Sequence, residues 1–160
     1  MIVWYVARAG GLLAYTLLSS SVILGLLLSR KAKLRSWPRF ALEDVHRFVG
    51  LLAGTFIAIH VGALLVDDYL PFSLANILVP GTAPYRPVSV AFGVIAAELL
   101  AALAVTNHYR KALSHRFWRR AHYLNFAVWL LALYIGTASV ITGLTASRFA
   151  GPAPQSAPIR

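Results

Sequence analysis

Three histidines, a glutamate and an arginine stand where polar chemistry is costly. His46 and His60 lie fourteen residues apart in one otherwise apolar stretch. At about 100° per residue, fourteen helical steps return to within roughly 40° of the same face. The same steps move the second ring about 21 Å along the axis. One helix face then carries an imidazole towards each side of a membrane. His122 opens a later apolar stretch that runs in the same direction, because one antiparallel helix intervenes. His46 and His122 are therefore at comparable depth and can ligate one iron from two sides. Two axial imidazoles give a six-coordinate, low-spin haem that carries electrons without binding substrate. Gly50 and Gly54 leave room for the macrocycle beside them.

Each residue also has a plainer reading. A histidine at a membrane boundary is often an interfacial anchor, which applies to His46 or His122 taken singly. His60 falls within the span, where an imidazole is costly and functional by default. His108 and His115 lie in a basic turn and read as solvated. Glu98 occupies the middle of its apolar stretch. It is either a proton-coupled or haem-facing group, or a neutral acid bonded to Thr16, Ser19, Ser20 or Ser21 of the first helix. Arg8 either reaches a haem propionate or snorkels to the headgroups.

The elements that must position these residues are membrane helices. The 160-residue chain is 59% hydrophobic and 12% charged, whereas soluble domains run near 45–50% and 25%. Ala9 to Leu28, Phe48 to Val66, Pro87 to Asn107 and Tyr123 to Ser147 are each about the length that crosses the hydrocarbon as a helix. None alternates as a barrel strand does. The expectation is an all-α, integral membrane four-helix bundle over residues 1–150. Its helices span about 4–28, 40–66, 87–108 and 117–146, and 151–160 forms a flexible tail. The first stretch does not read as a signal peptide, since no basic segment precedes it. Cysteine is absent, which excludes disulfides, Cys-ligated zinc and iron–sulfur clusters carried by this chain.

The net charge of +10 is a topology signal. Arg30, Lys31, Lys33, Arg35, Arg39 and Arg47 follow the first span, and Arg110, Lys111, Arg116, Arg119 and Arg120 follow the third. The intervening loop, 67–86, holds Asp67, Asp68 and a single arginine. By the positive-inside rule both basic loops are cytoplasmic and both termini outside. Contact with anionic lipid follows, and nucleic-acid binding does not. In the loops, Pro38 reads as part of a helix start near Arg39. Ser73 reads as the cap of a short turn ended by Pro80-Gly81.

The sequence resembles the ferric reductase-like transmembrane domain family over nearly its whole length. The similarity is carried by Trp4-Tyr5-Val6-Ala7-Arg8-Ala9, by His46-Arg47-Phe48-Val49-Gly50-Leu51 with Ala58-Ile59-His60, by Tyr85-Arg86-Pro87, and by Trp118-Arg119-Arg120-Ala121-His122. That family implies a bundle holding two stacked b-type haems, each clamped between histidines of two helices. The resemblance implies His46 and His122 as the cytoplasmic-side pair and His60 as half of the outer pair. Its second outer ligand usually stands about thirteen residues beyond the position of His122. Here that stretch is Tyr134-Ile135-Gly136. Tyr134 offers a phenolate, a poor ligand for a low-potential haem.

Two function classes follow. One is a b-type haem electron-transfer subunit in the inner (plasma) membrane, at most part of an oxidoreductase, with a donor or acceptor on another subunit or a quinone. One haem is expected and a second is left open. The alternative is an accessory subunit of a larger membrane complex that has partly or wholly lost haem. A transporter is a distant third, since there is no inverted repeat or broken helix.

Overall fold

The computed structural model describes residues 2–30, 37–68 and 72–149, with side chains described as far as 138 and at 141. The tail 151–160 and the loop residues Lys31, Lys33, Arg35 and Ser36 lie outside the described residues. The fold is all-α: α1 Ile2–Ser29, α2 Arg39–Leu65, α3 Leu74–Leu78, α4 Pro87–His108, α5 His115–His122 and α6 Leu124–Phe149. Four spans are long and apolar enough to cross a membrane: α1, α2, α4, and α5 running on into α6.

Local chemistry sets the helix starts. Pro38 precedes α2 in extended conformation, and its carbonyl accepts from the Ala41 and Leu42 amides at 3.1 and 3.4 Å. Ser73 caps α3 and shares a capping box with Asn76. Asn76 also donates to the Thr82 carbonyl at 2.8 Å, which folds the outer loop onto itself. Gly81, with φ +87°, makes the left-handed turn that follows. Pro87 opens α4 at a position that needs no amide hydrogen. Ser114 caps α5. The α5–α6 junction at Tyr123 is slight, because the Tyr123 amide is shared between the Arg119 and Arg120 carbonyls at 3.3 and 3.2 Å.

The helices form two close pairs, α1 with α2 and α4 with α6. Trp129 of α6 joins the pairs by donating its indole hydrogen to Ser19 Oγ of α1 at 3.0 Å. The shared core is Leu18, Ala53, Ala96, Leu103 and Val128, flanked by Leu17, Leu99 and Leu131. Alanines at the contacts let backbones approach where lipid supplies no hydrophobic drive for association. Leu12, Leu51, Ile59, Val105 and Leu130 are exposed. Such a surface suits hydrocarbon and not water. Among the described residues, α2 makes hardly any close backbone contact with α5 or α6, although His46 stands on α2 and His122 ends α5.

Candidate functional site

The site begins with two histidines held by the backbone of α1. His46 Nδ1 lies 3.0 Å from the Ser21 carbonyl, with Ser21 Oγ at 3.3 Å. His60 Nδ1 lies 2.6 Å from the Ala7 carbonyl. A ring nitrogen facing a carbonyl must donate, so each imidazole carries its proton on Nδ1. Nε2 then keeps its lone pair, the arrangement that prepares a histidine to bind a metal. Ala7 and Ser21 are fourteen residues apart, as are their partners His60 and His46. Gly11 and Gly25 repeat the same interval. A Cβ at Gly11 would fall 3.1 Å from His60 Nδ1, and one at Gly25 would fall 3.4 Å from His46 Cε1. The α1–α2 pair therefore builds one cradle twice.

Across from His46, the His122 ring centre stands 6.1 Å away with the planes at 77°. Trp118, one turn earlier, stacks on His122 at 5.2 Å and 23°. Asn125 Nδ2 donates to the His122 carbonyl at 2.9 Å and lies 3.4 Å from its Nδ1. His122 is thus oriented by stacking more than by a strong bond. The Trp118 indole nitrogen is buried and has no hydrogen-bond partner among the described residues. An orphaned donor of this kind costs about 1–3 kcal/mol. Along α2 the flank is open: a Cβ at Gly50 would meet only Ser21 Oγ at 3.7 Å, and one at Gly54 would meet nothing within 4 Å. Among the described residues no three His, Asp or Glu side chains converge, so the histidine pair is not part of an all-protein cage.

The outer half differs. His60 has its α1 cradle, but α6 contains no histidine. Tyr134 packs edge-on against Phe92 at 5.1 Å, and Ile135 lies against Gly93. Both therefore turn towards α4. Gly136 is exposed.

Arg8 is exposed and sits 4.5 Å over the Trp4 ring. His108 and His115 are exposed around the α4–α5 turn, beside Tyr109 and Trp118 respectively. Glu98 is exposed on α4 and forms no hydrogen bond or ion pair among the described residues. The α1 hydroxyls are engaged elsewhere: Thr16 donates to the Leu12 carbonyl, Ser20 to the Thr16 carbonyl, and Ser19 accepts from Trp129. A charged side chain at the centre of a span costs roughly 2.5–3.5 kcal/mol on insertion scales.

Sequence reasoning named His46, His60, His122 and Gly50, gave Ser21 only as a partner for Glu98 and Trp118 only as part of a family motif, and missed Gly11, Gly25 and Asn125. The signal available was the repeat itself. Glycines at 11 and 25 carry the same fourteen-residue interval as the histidines.

The family profile described as ferric reductase like transmembrane component matches residues 10–133. No curated protein and no solved structure matches the chain. The matched stretch runs from the cradle glycines through all three site histidines to the α6 segment beyond Trp129, and the chain belongs to the ferric reductase-like transmembrane family.

Proposed function

We propose that this chain carries electrons within the membrane as a b-type haem subunit, with His46 and His122 as axial ligands of a haem near the cytoplasmic surface. The observation that supports this most is the pairing of the two rings. His46 is fixed through Nδ1 on Ser21, and its ring centre stands 6.1 Å from that of His122. Two imidazoles bound to one first-row metal, each bond about 2 Å, have ring centres roughly 6 Å apart. The surroundings fit the group as well. The flank at Gly50 and Gly54 is open, and the orphaned Trp118 indole hydrogen suits an acceptor such as a propionate carboxylate. A haem held by His46 and His122 would supply one-electron transfer there.

The chain's own work is to hold and insulate. The Ser21 carbonyl fixes the tautomer of His46, Gly25 leaves room for its ring, Trp118 fixes the plane of His122, and Leu18, Ala53, Ala96, Leu103 and Val128 form the apolar core of the bundle. His60 is the outer ligand and stands without an α6 counterpart. The donor and acceptor belong to other subunits or to a quinone. The basic ends face the cytoplasm of an inner (plasma) membrane, with both termini outside.

A second reading, an accessory subunit that has shed haem, draws support from Tyr134 and Ile135 turning to α4 where the family's outer ligand would stand. Reduced-minus-oxidised spectra of the purified protein separate the two. The electron-transfer reading expects a low-spin b-type signal that disappears in His46→Ala and in His122→Ala. Either variant keeping that signal unchanged would overturn the ligand assignment, and a haem-free native protein would leave the accessory reading.

A further inference from the structure

Glu98 is the twelfth of the 22 residues of α4, about 15 Å from either end of the helix. No other Asp, Glu, Lys or Arg lies within α4. The buried residues of this helix, Val94, Ala96 and Leu103, face the core, whereas Glu98 is exposed and forms no hydrogen bond or ion pair among the described residues. Ala101, Ala102 and Val105 follow it at intervals of three, four and seven, and they are exposed too. One outward stripe therefore combines a carboxyl group with two alanines a turn away. A carboxyl group directed at hydrocarbon requires a partner, because lipid tails offer it no hydrogen bond. Alanines beside it allow another helix to come close enough to supply one.

We propose that this α4 face docks a transmembrane helix of a partner protein that brings a lysine or arginine to mid-bilayer depth. Charge complementarity selects that partner over a second copy of the chain. Copies inserted in the same orientation present the same residues at the same depth. Among the described side chains, the arginines and lysines are placed towards the ends of the spans: Arg8, Arg30, Arg39, Arg47, Arg86, Arg110, Lys111, Arg116, Arg119 and Arg120. Among the described residues, a second copy thus brings no lysine or arginine to the depth of Glu98. The proposal rests on the placement of Glu98 and its stripe, and it is independent of haem.

The test uses two synthetic transmembrane peptides of leucine and alanine, one with a single central lysine and one with leucine there. The full-length chain, labelled at Lys111→Cys, is placed in phosphatidylcholine–phosphatidylglycerol vesicles with either acceptor-labelled peptide. Energy transfer should favour the lysine peptide at least fivefold. That preference should vanish in Glu98→Leu and in Ala101→Trp, which leaves the carboxyl group in place and bulks the stripe. Circular dichroism checks that both variants remain as helical as the parent. Equal transfer to the two peptides, or a preference that survives Glu98→Leu in a helical variant, overturns the proposal. Self-association of the chain that is lost in Glu98→Leu, without any preference for lysine, assigns the face to a second copy and overturns it too.

Discussion

At the scale of single residues, Gly11 and Gly25 separate two effects that usually act together. Replacing a glycine inside a helix by alanine gains about 0.8–1.0 kcal/mol of helix propensity. Overpacking a close contact costs typically 1–3 kcal/mol. At Gly25 the added methyl meets His46 Cε1 at 3.4 Å, so the two effects nearly cancel. At Gly11 it meets His60 Nδ1 at 3.1 Å, where the ring is already fixed by the Ala7 carbonyl. The expected outcome is a near-neutral Gly25→Ala and a Gly11→Ala destabilised by up to about 2 kcal/mol. In the latter, His60 also loses its single tautomer. Unfolding in mixed micelles and imidazole nitrogen-15 shifts check this, and matched behaviour of the two variants would dismantle the cradle argument. The histidines themselves were legible in the sequence because an ionisable ring in an apolar run is conspicuous. Their holders were not, because the groups that grip them are main-chain carbonyls of Ala7 and Ser21, and any residue type supplies a carbonyl. Trp118 read only as part of the motif that runs to His122, since its orphaned indole hydrogen exists only in three dimensions.

At the scale of elements, α6 has an inward stripe on which Val128, Ala132 and Ile135 recur at helical spacing, buried or half-buried. Ile135 is the position where the resemblance places the second outer ligand. Its present contact is Gly93 of α4, a neighbour with no side chain of its own. An imidazole at 135 therefore has space to turn within the bundle. Ile135→His should raise haem from about one to about two per polypeptide. The native protein should bind carbon monoxide when reduced if an outer haem is held by His60 alone, and the variant should not. Two low-spin haems in the native protein, both indifferent to carbon monoxide, would mean that some other group completes the outer site. The existence of α1, α2, α4 and α6 was plain from apolar length alone, and the Ser73 cap from its residue type. The direction in which Glu98 faces was not. A helix that is apolar all round gives no periodic signal to say which side meets lipid.

At the scale of the whole molecule, the His46–His122 approach fixes which loops share an end. It puts the start of α2 beside α5, and so Arg39 and Arg47 at the same end as Arg110, Lys111, Arg116, Arg119 and Arg120. Asp67 and Asp68 close the opposite end of α2. Exposed ion pairs such as Arg39–Glu43, at 3.0 Å, neutralise little of that asymmetry and add little stability. With the basic end inside, a membrane-impermeant maleimide added to intact cells should label Asp68→Cys and spare Lys111→Cys. The native chain has no cysteine to confuse the result. The opposite labelling pattern would invert the bundle and exchange the sides of the two histidine stations.

The doubled cradle also limits how such a bundle can change its length. A single residue added to α2 between His46 and His60 swings His60 about 100° off the Ala7 carbonyl. Adding one to α1 as well restores the axial match, yet leaves both groups turned away from each other. Only additions near whole turns, made in both helices together, return carbonyl, glycine and imidazole to one line. Seven residues in each, close to two turns, is the smallest comfortable step, and it moves the outer station by about 10 Å. The distance between stations is therefore graduated like the teeth of a rack, and one helix cannot slip a tooth without the other.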